Sequence, residues 1–219
     1  ENKIPITILY NSKKVNLKKG PHLCLLEGYG AYGDINSPYF SNTKPSLLDR
    51  GFIFCIAHVR GGGFYGNKWY HEGKMLKKKN SFIDFIECSK YLIKKNFTEP
   101  DKLNIYGRSA GGLLIGAVIN MAPELYNSAI LGVPFVDVIN TMYDKNLNLT
   151  TGEFTEWGNP EKKEYYEYMS DYSPYDNIDK NKNYPNIYLY GNLEDNRVAY
   201  WEPLKYFSRM RKGIVFKEE

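Results

Sequence analysis

Residues 103–122, LNIYGRSAGGLLIGAVINMA, decide the fold. LNIYG (103–107) reads as a short strand, and GGLLIGAVINMA (111–122) as an apolar helix. Between them, Gly107-Arg108-Ser109-Ala110-Gly111 is G-x-S-x-G, and a strand before it with a helix after it is the context that separates a nucleophile elbow from a chance match. An elbow holds its serine on a strained turn so that the hydroxyl projects above the sheet. The residues two before and two after the serine crowd that turn, so both must lack a bulky side chain. Gly107 and Gly111 meet the demand. The other reading, a glycine-rich turn in which Ser109 only caps a helix, does not account for the flanking strand.

Working outward, ITILY (6–10) and HLCLLEGYG (22–30) read as strands, and the polar NSKKVNLKKG between them as a hairpin connection. GFIFCIAHVRGGG (51–63) is a continuous apolar run ending in glycines, as expected of a strand buried on both faces of a parallel sheet. A crossover helix follows, with Ser81 as its cap, Phe82, Phe85, Ile86, Tyr91, Leu92 and Ile93 at helical spacing, and Pro100 past its end. SAILGVPF (128–135) is the next strand. Residues 136–185 are polar and are expected to hold loops and one helix near 162–169. NIYLYGNLED (186–195) is a further strand, and EPLKYFSRMRKG (202–213) a helix closed by Gly213. The order β-α-β-α-β predicts an α/β architecture with a mostly parallel sheet flanked by helices, and with the elbow at Ser109 the fold expected is that of an α/β-hydrolase.

The 219 residues, 42% of them hydrophobic, suit a single domain with a sizeable core. A formal net charge of +4, with basic and acidic residues interspersed, gives no footprint for nucleic acid or a membrane surface. No apolar run approaches the roughly 18 residues of a membrane span, and ENKIPITILY lacks the basic-then-apolar order of a signal peptide. Cys24, Cys55 and Cys88 have no metal-type spacing and read as buried thiols in a reducing compartment. The expectation is a cytoplasmic protein without metal or cofactor. The acceptor patterns at Asn96 and Asn148 are short enough to arise by chance.

A serine hydroxyl is a poor nucleophile until a histidine takes its proton and a carboxylate orients that histidine, and in this fold the chain order is Ser, Asp or Glu, His. Asp195, at the end of NIYLYGNLED, stands where a strand end delivers the acid; Glu194 is the neighbouring alternative. His22, His58 and His71 all precede Ser109, so none has the expected order. The helix after Ser109 directs its N-terminal amides at the reacting centre, and the Ala110 N–H is an oxyanion donor of a kind worth about 2.7–4 kcal/mol.

Several segments together resemble the prolyl oligopeptidase family of serine peptidases, on its oligopeptidase B branch: GYGAYG (28–33), AHVRGGG (57–63), WYHEGK (69–74), GRSAGGLLIGAVIN (107–120), VPFVDVINTM (133–142), TGEFTEWGNP (151–160), YSPYDN (172–177) and DNRVAYWEP (195–203). The resemblance implies a serine endopeptidase that forms an acyl-enzyme on Ser109 and cleaves short peptides after Arg or Lys. It implies that Tyr29 adds a phenolic donor to the oxyanion hole, that Arg197 holds a substrate carbonyl, that Phe135 is the aromatic wall of the specificity pocket, and that Glu153 is one of its carboxylates. The family's second carboxylate falls at Thr155, with Glu156 next to it as a substitute. Ser37, Tyr39 and Phe64 stand where many relatives have acidic residues, so preference at the neighbouring substrate position is expected to differ.

The resemblance also implies an N-terminal β-propeller and a C-terminal segment carrying the catalytic histidine, so residues 1–219 are expected to be a catalytic domain lacking both and inactive alone. Loss of the base lowers turnover by on the order of 10⁶. Two other readings stand beside the peptidase: an esterase or lipase on the same fold, which an apolar pocket would favour, and a non-catalytic remnant, which the missing histidine would favour.

Overall fold

A computed structural model describes residues 3–213. The six-stranded sheet is organised around β3 (Ile53–Ala57), buried at all five positions. A wholly apolar strand needs partners on both edges and cover on both faces. β1 (Ile6–Leu9) pairs with one edge of it antiparallel, and β2 (Cys24–Glu27) with the other edge in parallel. β1 and β2 are therefore not neighbours, and the expected hairpin does not form. The segment joining them carries buried Val15 into the core and turns at Leu17–Lys19. β4 (Leu103–Arg108), β5 (Ser128–Gly132) and β6 (Asn186–Tyr190) extend the sheet in parallel, in the order β1-β3-β2-β4-β5-β6.

Two short helices, α1 (Lys44–Asp49) and α2 (Asn67–His71), flank β3 in sequence. The crossover helix α3 (Lys79–Lys94) starts two residues before the expected cap. Ser81 lies inside its first turn, where its hydroxyl donates to the Arg60 carbonyl at 2.6 Å. α4 (Ala110–Met121) is buried from Ala110 to Asn120, as a helix apolar all round must be. Between β5 and β6 the chain forms three helices rather than one: α5 (Val138–Tyr143), α6 (Thr150–Trp157) and α7 (Lys163–Ser170). Each is eight residues or shorter and rich in Tyr, Thr and Asn, so local propensity is weak. Burial of Met142, Trp157 and Met169 fixes them instead. α8 (Trp201–Gly213) lies where the sequence places it. No helix among the described residues is long and apolar enough to cross a membrane.

Four turns follow the carboxyl ends of parallel strands that are neighbours in space: residues 28–33 after β2, 109 after β4, 133–137 after β5 and 191–200 after β6. Open α/β sheets gather their working side chains at this edge.

Candidate active site

Ser109 has φ 57° and ψ −117°, outside the regions that L-residues favour, and directly precedes α4. The strain is held from three sides. The Ser109 N–H donates to the Gly132 carbonyl at 2.9 Å, and its carbonyl accepts from the N–H groups of Gly112 at 2.8 Å and Phe135 at 3.2 Å. A Cβ on Gly107 would come within 2.1 Å of the Gly111 carbonyl oxygen, and one on Gly111 within 2.7 Å of the Gly28 oxygen. Backbone stands in the way at both positions, so the two glycines are required for the reason the motif suggests.

A pocket of about 840 Å³ opens beside Ser109. Ser109, Ala110, Tyr29, Phe135, Glu153, Asp195 and Arg197 all line it. Ala110 is the first residue of α4, so its N–H is one of the four amides that the helix leaves without a partner inside itself. Tyr29 lies against the elbow: a Cβ on Gly111 would be 3.4 Å from its Cδ2 and 3.5 Å from its Cα. Burial, and after it the Asp34 charge, pushes the Tyr29 phenol up, while Arg197 pulls it down, so the phenol keeps its proton. Asp195 Oδ1 accepts from the N–H groups of Arg197 at 2.9 Å and Val198 at 3.0 Å, which fixes the turn after β6 and leaves the second carboxylate oxygen to other donors. Glu194 is exposed and does not line the pocket.

Glu153 and Trp157 are four residues apart on α6 and share a face. Glu153 Oε2 accepts from Trp157 Nε1 at 3.0 Å and from the Tyr32 hydroxyl at 2.8 Å, and the Trp157 ring lies 5.3 Å from that of Phe135. One carboxylate thus stands in an aromatic wall of Phe135, Trp157 and Tyr32. Glu156 departs from the expectation. It does not line the pocket; at 2% exposure, its Oε1 accepts from the Tyr32 N–H at 3.0 Å and its Oε2 from the Tyr70 hydroxyl at 2.5 Å. Both oxygens are committed to the protein, so Glu156 does not substitute for the carboxylate missing at Thr155. Thr155 itself is exposed, its hydroxyl donating to the Gly152 carbonyl at 3.1 Å.

Among the pocket residues that the sequence does not single out are Asp34, Trp157 and Glu202. The four-residue step from Glu153 marks Trp157. Asp34 directly follows GYGAYG and carries an acidic group toward the pocket where Ser37 and Tyr39 do not. Glu202 is 1% exposed; its Oε2 accepts from the N–H groups of Val136 and Asp137, both at 2.7 Å, and its Oε1 from Thr141. No local pattern in the sequence announces that long-range contact. Among the described residues no histidine lines the pocket. His22 contacts the Asn16 carbonyl, His58 contacts Thr7 and stacks on Phe64, and His71 is exposed at the end of α2.

A strained serine between strand and helix, at the carboxyl edge of a mostly parallel sheet and facing a pocket, defines an α/β-hydrolase. Comparison with known sequences narrows this: the chain belongs to the prolyl oligopeptidase family, whose profile matches residues 38–216. It is 48% identical over 223 residues to dipeptidyl aminopeptidase BI of Pseudoxanthomonas mexicana, covering 99% of this chain and 30% of that protein. It is 47% identical over 209 residues to protease 2 of Moraxella lacunata, covering 95% of this chain and 30% of that protein. The solved structure of oligopeptidase B from Leishmania major superposes with a TM-score of 0.95 at 47% identity, over 100% of this chain and 30% of that one. Oligopeptidase B from Trypanosoma brucei, with antipain covalently bound, matches equally well, with a TM-score of 0.95 and 47% identity over 100% of this chain and 30% of its own. The chain thus spans about 30% of the length of the relatives it matches.

Proposed function

We propose that this chain is the catalytic domain of a serine oligopeptidase that cleaves short peptides after Arg or Lys. The observation that carries the reading is the convergence of Ser109, Asp195, Tyr29 and Glu153 on one pocket from four separate turns and helices. Ser109 Oγ attacks the scissile carbonyl carbon, and its proton passes to an imidazole that Asp195 orients; none of the three histidines here is placed for this, so the reading assigns that base outside residues 1–219. The carbonyl oxygen, now an anion, is held by the Ala110 N–H and the Tyr29 hydroxyl. Collapse of the tetrahedral species breaks the C–N bond, the imidazolium protonates the leaving amine, and water then releases the acyl group from Ser109. The Arg197 guanidinium holds a substrate carbonyl at the rim.

Preference for a basic side chain rests on Glu153: a desolvated cation needs a carboxylate partner, and the aromatic wall shields its aliphatic stem. With Thr155 facing solvent and Glu156 engaged elsewhere, Glu153 carries that preference without them, which makes it weaker than two carboxylates would give. A cytoplasmic location belongs to the same reading, supported by the free, buried thiols of Cys24, Cys55 and Cys88.

The test is hydrolysis of chromogenic peptides with Arg, Lys, Ala or Pro before the scissile bond by the full-length natural protein. The expected order of kcat/KM is Arg and Lys above Ala and Pro, with all activity lost in Ser109→Ala. Equal rates on all four peptides, or hydrolysis of simple esters alone, would overturn the assignment.

A further inference from the structure

Lys78, the residue before α3, is wholly buried, and a buried ammonium is costly unless the structure uses it. Its Nζ donates to the carbonyl of Gly30, the residue after Tyr29, and lies 5.1 Å from the centre of the Trp157 ring. Two residues further along the same loop, the Tyr32 N–H donates to buried Glu156 at 3.0 Å. A cationic donor therefore grips a carbonyl of the 29–32 loop while an anionic acceptor grips an amide two residues on. The loop needs holding: Tyr32, a bulky aromatic, has φ 58°. Burial lowers Lys78 to about 8, and the Glu156 charge opposes that by favouring the ammonium form. Neither lines the pocket, so neither touches substrate.

We propose that Lys78 and Glu156 are positioning residues for the oxyanion hole, clamping the 29–32 loop so that the Tyr29 hydroxyl is presented to the reacting carbonyl beside Ala110. The inference rests on the reading of Tyr29 as an oxyanion donor. The loop has little room for error, since it packs against the elbow with the Gly28 oxygen 2.7 Å from where a Gly111 Cβ would be. A displaced loop carries the Tyr29 hydroxyl away from Ala110 and, because Tyr32 of the same loop donates to Glu153, also disturbs the specificity pocket, so KM for a basic peptide shifts with kcat while only the kcat loss depends on the Tyr29 hydroxyl.

A double-mutant cycle in the full-length protein tests this with an Arg-containing chromogenic peptide. Tyr29→Phe is expected to lower kcat by about 10²–10³. Lys78→Met is expected to lower kcat by about 10- to 100-fold, and to cost no further kcat in the Tyr29→Phe background. Should Lys78→Met not fold, Glu156→Gln, which keeps an acceptor for the Tyr32 N–H but removes the charge, should show a smaller kcat loss with the same dependence on Tyr29. A kcat loss in either clamp variant that persists undiminished without the Tyr29 hydroxyl would overturn the positioning role while leaving the oxyanion reading intact. An unchanged kcat in Tyr29→Phe would overturn both.

Discussion

Ser109 occupies a backbone conformation that costs roughly 1–3 kcal/mol, and the surrounding contacts keep it there. At Gly107 the atom that excludes a Cβ is the Gly111 oxygen of the same motif, so that demand is local, whereas Gly111 is held small by the Gly28 oxygen from the turn after β2; the motif marks both glycines, but only the first for a reason visible within it. Glu153, Thr155 and Glu156 are a different matter. Their roles depend on the rotation of α6, and nothing in TGEFTEW alone says which of them faces the pocket. A helix boundary at Thr150 puts Glu153 and Trp157 on one side, sends Thr155 to solvent and commits Glu156 to Tyr32 and Tyr70. On the proposed reading, a basic substrate side chain would be held by Glu153 without help from its neighbours on α6. Glu153→Gln, which leaves an acceptor for Trp157 and Tyr32, should reduce the preference for Arg over Ala peptides by at least about tenfold in kcat/KM. A preference that survives the change would show that the cation is read elsewhere, with Asp34, Asp195 and Glu202 as the remaining pocket carboxylates.

The elements that build the site were legible in proportion to how far their pattern is self-contained. β3, β4 and α4 are apolar runs of the right length and appear where expected, whereas the partner of β1 depends on where β3 inserts, a tertiary choice that a polar linker does not reveal. α5 and α6 have weak patterns of their own and exist because of what they bury. The contact between α8 and the turn after β5 is of this kind, and it is made by Glu202. Burial pushes Glu202 up to about 7 against the pull of its three hydrogen-bond donors. Its folded value thus stands above the unfolded one of about 4.3, so the folded state retains a proton that the unfolded chain releases. The stability from this group is full below about pH 4.3 and is lost as pH rises to about 7. Glu202→Gln removes the titration and keeps acceptors for Val136 and Asp137. The melting temperature of the variant, relative to the unmodified protein, should therefore rise between about pH 5 and about pH 8. A constant or falling difference would show that Glu202 is ionised throughout.

For the molecule as a whole, the core that supports the site is also where its three thiols lie. Cys24 and Cys55 are fully buried on adjacent strands with sulfurs 3.8 Å apart, and Cys88 is 2% exposed on α3. Burial pushes the Cys88 thiol well above its ordinary value, and the hydrogen bond that the Cys24 thiol donates to Cys55, together with burial, does the same for Cys24. Brief alkylation of the native full-length protein, followed by peptide mapping, should leave all three unmodified, and labelling should appear at all three only in denaturant. Modification of any of them in the native state at the rate of an exposed thiol would contradict this packing. The carboxyl edge of the sheet is the other property of the whole: four turns that are distant in sequence meet there around Ser109. The most direct measurement of what that edge does is treatment of the full-length natural protein with a fluorophosphonate and identification of the modified residue by mass spectrometry. A single adduct in the peptide containing GRSAGG, on Ser109, and its disappearance together with peptidase activity in Ser109→Ala is the expected result. An adduct on another serine, or peptide cleavage that persists in Ser109→Ala, would contradict the assignment of Ser109 as the nucleophile.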